Sequence, residues 1–242
     1  MHRIFLHELP LLKQPVVIRD EKAHYLFSVL RCKTGEGLIV TDEKGCSYTA
    51  QILSASKKEV TIDITGDYVM DTESNLDITL IQGLLKGEKM DFVIQKTTEL
   101  GVSAIIPAIT ERSQLRETRK HPRWKKIAEE ASRQSGRTQI PEIFETCSFK
   151  EIFDIPGLIS GKGIIFWEQG GEKLTALTSR PSHTDKISLI IGPEGGFSEE
   201  EVLLASEKGF LIATLGSRIL RAETASIATV SIIQFALGDL GS

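Results

Sequence analysis

The chain has 242 residues, 40% of them hydrophobic and 26% charged, which is typical of a soluble globular protein with one large domain or two modest ones. A net charge of −4 argues against nucleic-acid binding through overall charge, and three widely spaced cysteines argue against a disulfide framework. No apolar run is long enough to cross a bilayer, and the N-terminus lacks the apolar core of a signal peptide. We therefore expect a cytoplasmic protein with reduced thiols, no membrane association and no metal site.

The first 70 residues show short alternating strands separated by glycine turns, which predict a small barrel or sandwich. The predicted strands are Ile4–Leu6, Val16–Ile18, Leu38–Thr41, Ser47–Ser54 and Glu59–Ile64. A helix is predicted over Asp20–Arg31, with Asp20 as N-cap and Ala23, Phe27 and Leu30 on its apolar face. The polar, acidic stretch Gly66–Asn75 then predicts a linker.

From Leu76 onward, apolar strands alternate with helical patterns, which indicates an α/β sheet with mostly parallel strands. The predicted strands are Ile78–Leu84, Ala104–Ile109, Gly163–Trp167, Ile187–Ile191 and Ile212–Leu215. The predicted helices are Lys89–Leu100, Pro122–Arg137, Glu172–Thr178, Ser198–Lys208 and Thr224–Leu237. Because the strands are nearly continuous apolar runs, we expect both faces of the sheet to be covered. The sequence thus predicts two domains, residues 1–70 and residues 71–242.

Basic residues collect between Arg112 and Arg137. A stretch of this kind is most often a solvated helix face. The alternative is a surface that contacts a phosphate backbone, and the arginine-rich composition and nearby Trp124 favour that alternative slightly. The sequence leaves both interpretations open.

The segment Ile187–Phe197, ISLIIGPEGGF, is the most informative in the chain. A buried strand runs into a glycine-rich turn, and a helix begins after Ser198, which forms a predicted capping box with Glu201. Such a turn lets the backbone approach a ligand closely. No P-loop lysine follows, and three glutamates crowd the first helical turn, so a phosphate is disfavoured there. The turn therefore predicts a neutral or cationic ligand that is bound by backbone groups.

Three glycine-containing loops follow predicted strands, where ligands bind in open α/β sheets. They are Glu168–Gly171, Gly192–Gly196 and Gly216–Arg221. Each one can be an ordinary tight connection, but three at one sheet edge predict a pocket. Small residues follow the last loop at Ala222, Ala225, Ser226, Thr229 and Ser231. They indicate either a tightly packed helix or a helix that passes another loop with little clearance.

The sequence GPEGGFSEEE, followed by LGSRILRAETA, resembles the C-terminal signature of the SPOUT methyltransferases. The closer resemblance is to the RsmE family, which methylates N3 of one uridine in 16S ribosomal RNA. HYLFSVLRCKTGEGLIVTD is similar to that family's N-terminal PUA-like domain, LLKGEKMDFVIQKTTELGVSAIIPAITERS to its first βαβ unit, and RWKKIAEEASRQSGRTQIPEI to the helix that follows. The chain departs from the family pattern at Arg133, where a glutamate is common, so a carboxylate role there is in doubt.

The resemblance implies a SPOUT-type α/β domain with a C-terminal trefoil knot and a small N-terminal PUA-like β-barrel domain. It also implies a homodimer, S-adenosylmethionine as cofactor and the small ribosomal subunit as partner. Arg221 is expected to stabilise the uracil anion, with Arg218 as a second candidate, and Glu194 and Glu223 are candidate bases. Expected cofactor contacts are Phe166, Trp167, Gly192, Gly196, Leu215, Gly216, Ile219 and Leu220. Expected RNA contacts are Arg3, Arg19, His24, Arg31, Arg112, Arg116, Arg123 and Arg137.

Two other functions stay open from the sequence. One is a non-catalytic RNA-binding protein with a SPOUT-like fold. The other is a nucleotide-binding enzyme that holds phosphates at the GPEGG turn, although the glutamates and the missing lysine argue against it. The identity of the catalytic base, the exact RNA position, and the choice between free RNA and an assembled subunit are also open.

Overall fold

The computed structural model describes residues 1–6, 9, 14–69, 72–157, 161–175 and 185–241. The chain forms two compact units. The first contains Met1–Glu73 and Ser135–Gln139, and the second contains Ser74–Gln134 and Ile140–Ser242. Among the helices within these described ranges, none has the length and apolar character required to span a membrane.

The N-terminal unit is built on one five-stranded sheet. Its strands are β1 (His2–Phe5), β2 (Val16–Arg19), β3 (Gly37–Thr41), β4 (Ser47–Ala55) and β5 (Glu59–Asp67), in the order β1-β3-β4-β5-β2. β1 pairs with β3 in parallel, and the other neighbours are antiparallel. Alternate apolar side chains from all five strands form its core, and two register shifts between β4 and β5 bend the sheet. The predicted strands are therefore present, whereas closure into a barrel stays a prediction.

The first helix differs from its prediction in three respects. Helix α1 (Asp20–His24) continues as a π-helix over Tyr25–Val29. Asp20 is not the N-cap, because Arg19 occupies that position and Asp20 is the first helical residue, with φ 59. Phe27 is exposed, and Leu26 is buried in its place. Ala23 is buried and Leu30 packs against the core, as predicted, but the wider π turn moves Phe27 off the 3.6-residue period and out of the apolar face.

In the described residues of the C-terminal unit, eight parallel strands form one sheet with helices between them. The strands are β6 (Asp77–Gly83), β7 (Ala104–Ile109), β8 (Glu142–Ile143), β9 (Cys147–Ser148), β10 (Lys162–Phe166), β11 (Glu172–Lys173), β12 (Lys186–Ile191) and β13 (Leu211–Thr214). The helices are α2 (Lys89–Glu99), α3 (His121–Ser135), a 3-10 turn (Glu151–Asp154), α4 (Glu199–Glu207) and α5 (Ala222–Leu237). The strand order is β11-β13-β10-β12-β6-β7-β8, with β9 also paired to β7.

Both faces of this sheet are buried, as the apolar runs predicted. Leu189 and Ile191 belong to a cluster with apolar residues of α2, α3 and α5. Ile190, between them, belongs to a second cluster with Phe197 and the α4 residue Val202. Successive strand side chains point to opposite faces, so a strand covered on both sides must be apolar throughout.

The longer strands of this unit lie within one residue of their predicted bounds. The predicted helix Glu172–Thr178 begins instead with the short strand β11, Leu174 and Thr175 are helical, and the part beyond residue 175 lies outside the described residues. The two-residue strands β8 and β9 were not predicted, because two residues are too few to show a period.

Candidate active site

A cavity of about 510 Å³ lies at the carboxyl ends of β10, β12 and β13, which are neighbours in the sheet. Its walls come from residues 166–168, 191–197 and 214–222, together with Lys89 and Ala225. The structure thus brings together the three loops that the sequence singled out. A volume of this size is within the usual range of small-molecule sites.

The GPEGG turn lies directly against the end of β6. A Cβ atom on Gly83 would lie 2.5 Å from the backbone nitrogen of Pro193, so only glycine permits this approach. The turn closes when the Gly196 amide donates to the Pro193 carbonyl oxygen at 3.0 Å, with Gly196 at φ 70. The turn is therefore fixed by backbone packing and leaves its other surface to the cavity.

The capping box predicted for α4 is present. The Ser198 hydroxyl accepts from the Glu201 amide at 3.4 Å, and the Glu201 carboxylate accepts from the Ser198 amide at 3.1 Å. The other oxygen of Glu201 accepts from the Glu111 amide at 2.8 Å. The Glu201 carboxylate and the Ser198 hydroxyl thus each satisfy one amide at this helix N-terminus, and the negative charge of Glu201 disfavours an anionic ligand there.

The third wall of the cavity is the loop that enters α5. Arg221 is the N-cap residue of α5, and its carbonyl oxygen accepts from the Ala225 amide at 2.8 Å. Its side chain and that of Arg218 are exposed and line the cavity. Within the described part of the chain neither guanidinium group makes a hydrogen bond, so both can bind a ligand.

A lysine joins the two candidate bases. Lys89, at the start of α2, places Nζ 3.1 Å from Glu194 Oε1 and 3.8 Å from Glu223 Oε2. Burial raises the pKa of the Glu194 carboxyl, but hydrogen bonds from its own amide, the Lys89 ammonium and the Lys86 amide outweigh this effect, and the pKa lies below its usual value. Glu223 Oε2 is buried without a hydrogen-bond partner among the described residues. The cluster carries a net negative charge that favours a cationic ligand.

All eight residues predicted to contact a cofactor line the cavity, and so do Arg218, Arg221 and Glu194. Glu223 reaches the site through its ion pair with Lys89. Glu168, which begins the first predicted loop, also lines the cavity, although no role was predicted for its side chain, and the sequence reasoning missed Lys89. The sequence shows that the segment of Lys89, LLKGEK, follows β6, but only the strand order shows that β6 is the sheet neighbour of β12.

The residues predicted to contact RNA fall into two groups. Arg19, His24, Arg31, Arg112, Arg116 and Arg123 are exposed. Of these, Arg112 donates to the Gly195 carbonyl oxygen of the turn at 3.4 Å, and Arg123 pairs with Asp91 at 2.8 Å.

Arg3 and Arg137 are buried, with 7% and 4% of their surface exposed. Arg3 donates to the backbone carbonyls of Gly136 and Arg137, and Arg137 pairs with Glu73 at 2.7 Å. Their guanidinium groups hold the N-terminal unit together. We therefore correct the prediction that these two residues contact RNA, because their donors are turned inward to protein acceptors.

Within the ranges that the structure describes, no three histidine, cysteine, aspartate or glutamate side chains are grouped so that they could hold a metal ion.

The sequence matches two protein-family models. One is described as an RNA methyltransferase domain and matches residues 72–234, and the other, described as an RNA methyltransferase PUA domain, matches residues 18–65.

Individual relatives match over nearly the whole chain. A ribosomal RNA small subunit methyltransferase E from Buchnera aphidicola is 35% identical, over 98% of this chain and 94% of the relative. The crystal structure of the Neisseria gonorrhoeae protein of the same name, bound to S-adenosyl methionine, is 35% identical, covers 99% of both chains and has a TM-score of 0.91. A Legionella pneumophila methyltransferase in complex with SAM is 35% identical over 98% of both chains, with a TM-score of 0.89.

Proposed function

Because this chain belongs to the ribosomal RNA small subunit methyltransferase E (RsmE) family, we propose that it uses S-adenosylmethionine to methylate N3 of a specific uridine in 16S ribosomal RNA. The observation that carries the proposal is the three-loop cavity, found in a chain with 35% identity, over 99% of its length, to a structure with that cofactor bound. The cavity fits the cofactor, since backbone groups and the carboxylates of Glu168 and Glu194 suit a positively charged sulfur and an ammonium group.

The reaction requires that uracil N3, which carries its proton at neutral pH, loses it before or during methyl transfer. Bound S-adenosylmethionine supplies the methyl group on a cationic sulfur. Arg221 stabilises the negative charge that develops on the uracil oxygens, with Arg218 as the second candidate. Glu194 or Glu223 accepts the N3 proton. The lowered pKa of Glu194 argues against Glu194 as the base. Glu223 is therefore the favoured candidate, since its Oε2 is buried without a hydrogen-bond partner among the described residues.

We assign residues 1–70 to a PUA-like RNA-binding β-barrel domain and residues 71–242 to the methyltransferase domain. The exposed side chains of Arg19, His24 and Arg31 in the first domain, and of Arg112, Arg116 and Arg123 in the second, contact phosphates. The partner is the small ribosomal subunit in the cytoplasm. The target uridine must leave its stack to reach the cavity.

The chain acts as a homodimer in this proposal. Ile232 and Phe235 lie one turn apart on α5 and are 43% and 68% exposed. Phe92 is exposed on α2, which packs against α5. Apolar side chains at helical spacing on an exposed face favour a partner surface, and a second copy of this chain offers the same apolar residues.

The C-terminus forms a trefoil knot in this proposal. The fully buried Ser226 and Thr229, with Ala222, give α5 the small side chains that close passage past another loop requires. The test is extension of the unfolded chain from both ends with optical tweezers. A knot leaves the extended chain shorter than its contour length, whereas full extension would rule the knot out.

The test of function is mass spectrometry of 16S ribosomal RNA from cells that lack this protein. One N3-methyluridine should disappear, and the gene should restore it. Purified protein should methylate either free 16S RNA or assembled subunits, and the two substrates are compared directly. Calorimetry separates the alternatives: a non-catalytic RNA-binding protein would not bind S-adenosylmethionine, and tight binding of ATP in its place would indicate a nucleotide enzyme.

A further inference from the structure

A buried amide connects two walls of the cavity. Gln82, in β6, is fully buried. Its Nε2 donates to the Gly83 carbonyl oxygen at 3.0 Å and to the Gly192 carbonyl oxygen at 3.3 Å, within the GPEGG segment. Its Oε1 accepts from the hydroxyl of Ser226, which is also fully buried, on α5. One side chain therefore bonds both the turn and the helix that follows the Arg221 loop.

The arrangement leaves Gln82 little freedom. A buried amide that loses its partners pays a desolvation cost, so each bond of Gln82 holds the others in place. Its Nε2 also donates to the Ile191 carbonyl oxygen at 3.5 Å, and its distant partners Ile191, Gly192 and Ser226 are 109, 110 and 144 residues away in the chain. Ser226 lies beside Ala222 and Ala225, which line the cavity, and Gly192 lines it directly.

We propose that Gln82 and Ser226 are positioning residues that set the GPEGG turn and the start of α5 in register, so that both cofactor-contacting walls are formed before the cofactor binds. The role depends on the proposed function only in the identity of that cofactor. Preorganisation of this kind lowers the entropic cost of binding.

The chain contains a matched control on the same helix. Gln234 is also fully buried, and its Nε2 donates to the Leu100 carbonyl oxygen at 3.0 Å. Its Oε1 accepts from the Ser74 hydroxyl at 2.8 Å. It therefore makes the same kinds of bond as Gln82, but it lies eight residues beyond Ser226, about 12 Å along the helix.

The experiment compares Gln82→Met, Ser226→Ala and Gln234→Met. All three should lower the free energy of unfolding of the protein without cofactor. Gln82→Met and Ser226→Ala should each raise the calorimetric Kd for S-adenosylmethionine about tenfold. In the double variant the Kd should rise by less than the product of the two single increases, because both substitutions remove the same link. Each should also speed amide exchange in both the 192–197 segment and the first turns of α5. Gln234→Met should leave the Kd unchanged.

Three results would overturn the positioning role: a wild-type Kd in Gln82→Met and Ser226→Ala, an equal rise of Kd in Gln234→Met, or exchange that increases in only one of the two segments. If Gln82→Met fails to fold, Ser226→Ala tests the same link by removing one hydroxyl. A wild-type protein that binds no S-adenosylmethionine would contradict the proposed function instead. The coupled exchange of turn and helix would still decide the role of the pair.

Discussion

At the scale of single residues, the site is set by charges that are distant in sequence. Lys89 and Glu194 are 105 residues apart, yet their side chains lie 3.1 Å from each other. Lys89 also faces Glu223, so one ammonium group serves two carboxylates. No local pattern predicts such a pair, although each residue lies next to the end of a predictable strand.

The lowered pKa of Glu194 predicts a pH dependence of stability. Because the folded pKa is below the unfolded one, the ionised carboxylate stabilises the fold fully above the unfolded value of about 4.3. That contribution is lost as the pH falls through the folded pKa. The difference in unfolding free energy between wild type and Glu194→Gln should therefore be constant near neutral pH and shrink below about pH 4. Lys89→Met should move this loss to higher pH. Denaturant titrations from pH 3 to 7 measure the unfolding free energies of the wild type and of both variants. If the difference between wild type and Glu194→Gln stayed constant down to pH 3, the lowered pKa of Glu194 would be refuted.

The free guanidinium group of Arg221 predicts a catalytic effect that is separate from cofactor binding. Arg221→Ala should lower kcat by about 100-fold, because the uracil anion loses its cation, and should change the Kd for S-adenosylmethionine much less. Methyl transfer to small subunits under single-turnover conditions gives the rate. Arg218→Ala is the matched comparison, with a smaller loss expected. Full turnover by Arg221→Ala would show that Arg221 does not stabilise the uracil anion. A larger loss of kcat in Arg218→Ala would assign that role to Arg218.

At the scale of elements, the close approach of β6 to the GPEGG turn predicts the effect of one methyl group. In Gly83→Ala the Cβ atom would lie 2.5 Å from Pro193 N, and the turn must shift. We expect a loss of about 1–3 kcal/mol in stability from overpacking and at least a tenfold rise in the cofactor Kd.

The control for Gly83→Ala is Gly66→Ala in β5. An added Cβ atom there meets Thr49 Oγ1 at 3.6 Å, an ordinary contact. Its stability should stay near that of wild type, as measured by urea unfolding. If Gly83→Ala bound the cofactor with wild-type affinity, the turn would have adapted to the extra methyl group. The close approach of β6 to the turn would then not be required for cofactor binding.

The elements also indicate how far the sequence reaches. Strands such as Ile187–Ile191 were predictable because burial on both sheet faces requires an uninterrupted apolar run. The capping box of Ser198 and Glu201 was predictable because its chemistry is local. The π-helix at Tyr25–Val29 was not, since Ala23, Phe27 and Leu30 fit the spacing of a regular α-helix and the widened turn is seen only in the structure. The eight predicted cofactor-contacting residues line the cavity because their loops end adjacent strands, but Lys89 and Gln82 required the strand order itself.

At the scale of the whole molecule, the chain does not divide at one point. Residues Ser135–Gln139 belong to the N-terminal unit, where Glu73 accepts from Arg137 and from the backbone amides of Thr138 and Gln139. Periodicity could not reveal this segment, because five residues joined by an ion pair and backbone bonds carry no repeat.

The buried pair predicts a large stability effect in this unit. Glu73→Ala removes the carboxylate that accepts from Arg137 and from the Thr138 and Gln139 amides, and it should cost about 3 kcal/mol. Glu59→Ala, which breaks the exposed pair with Arg19, should cost under about 1 kcal/mol. Hydrogen exchange of the β3–β5 amides measures both. Equal losses of unfolding free energy in the two variants would show that the Ser135–Gln139 segment contributes little to the stability of the N-terminal unit.

The exposed face of α5 makes the proposed homodimer testable. In the proposed dimer, Phe235 and Ile232 make apolar contacts with the second copy. Phe235→Asp would place a charge in this apolar interface, so the variant should be monomeric in analytical ultracentrifugation and keep its helical content. Leu203→Asp is the control, because Leu203 is 60% exposed on α4, away from that face. It should remain dimeric. A wild-type monomer, or a dimeric Phe235→Asp protein, would mean that another surface or none joins the copies. α5 also carries Ser226, which bonds to Gln82 on the buried side of the helix. A dimer through α5 would therefore hold the exposed side of the same helix in place.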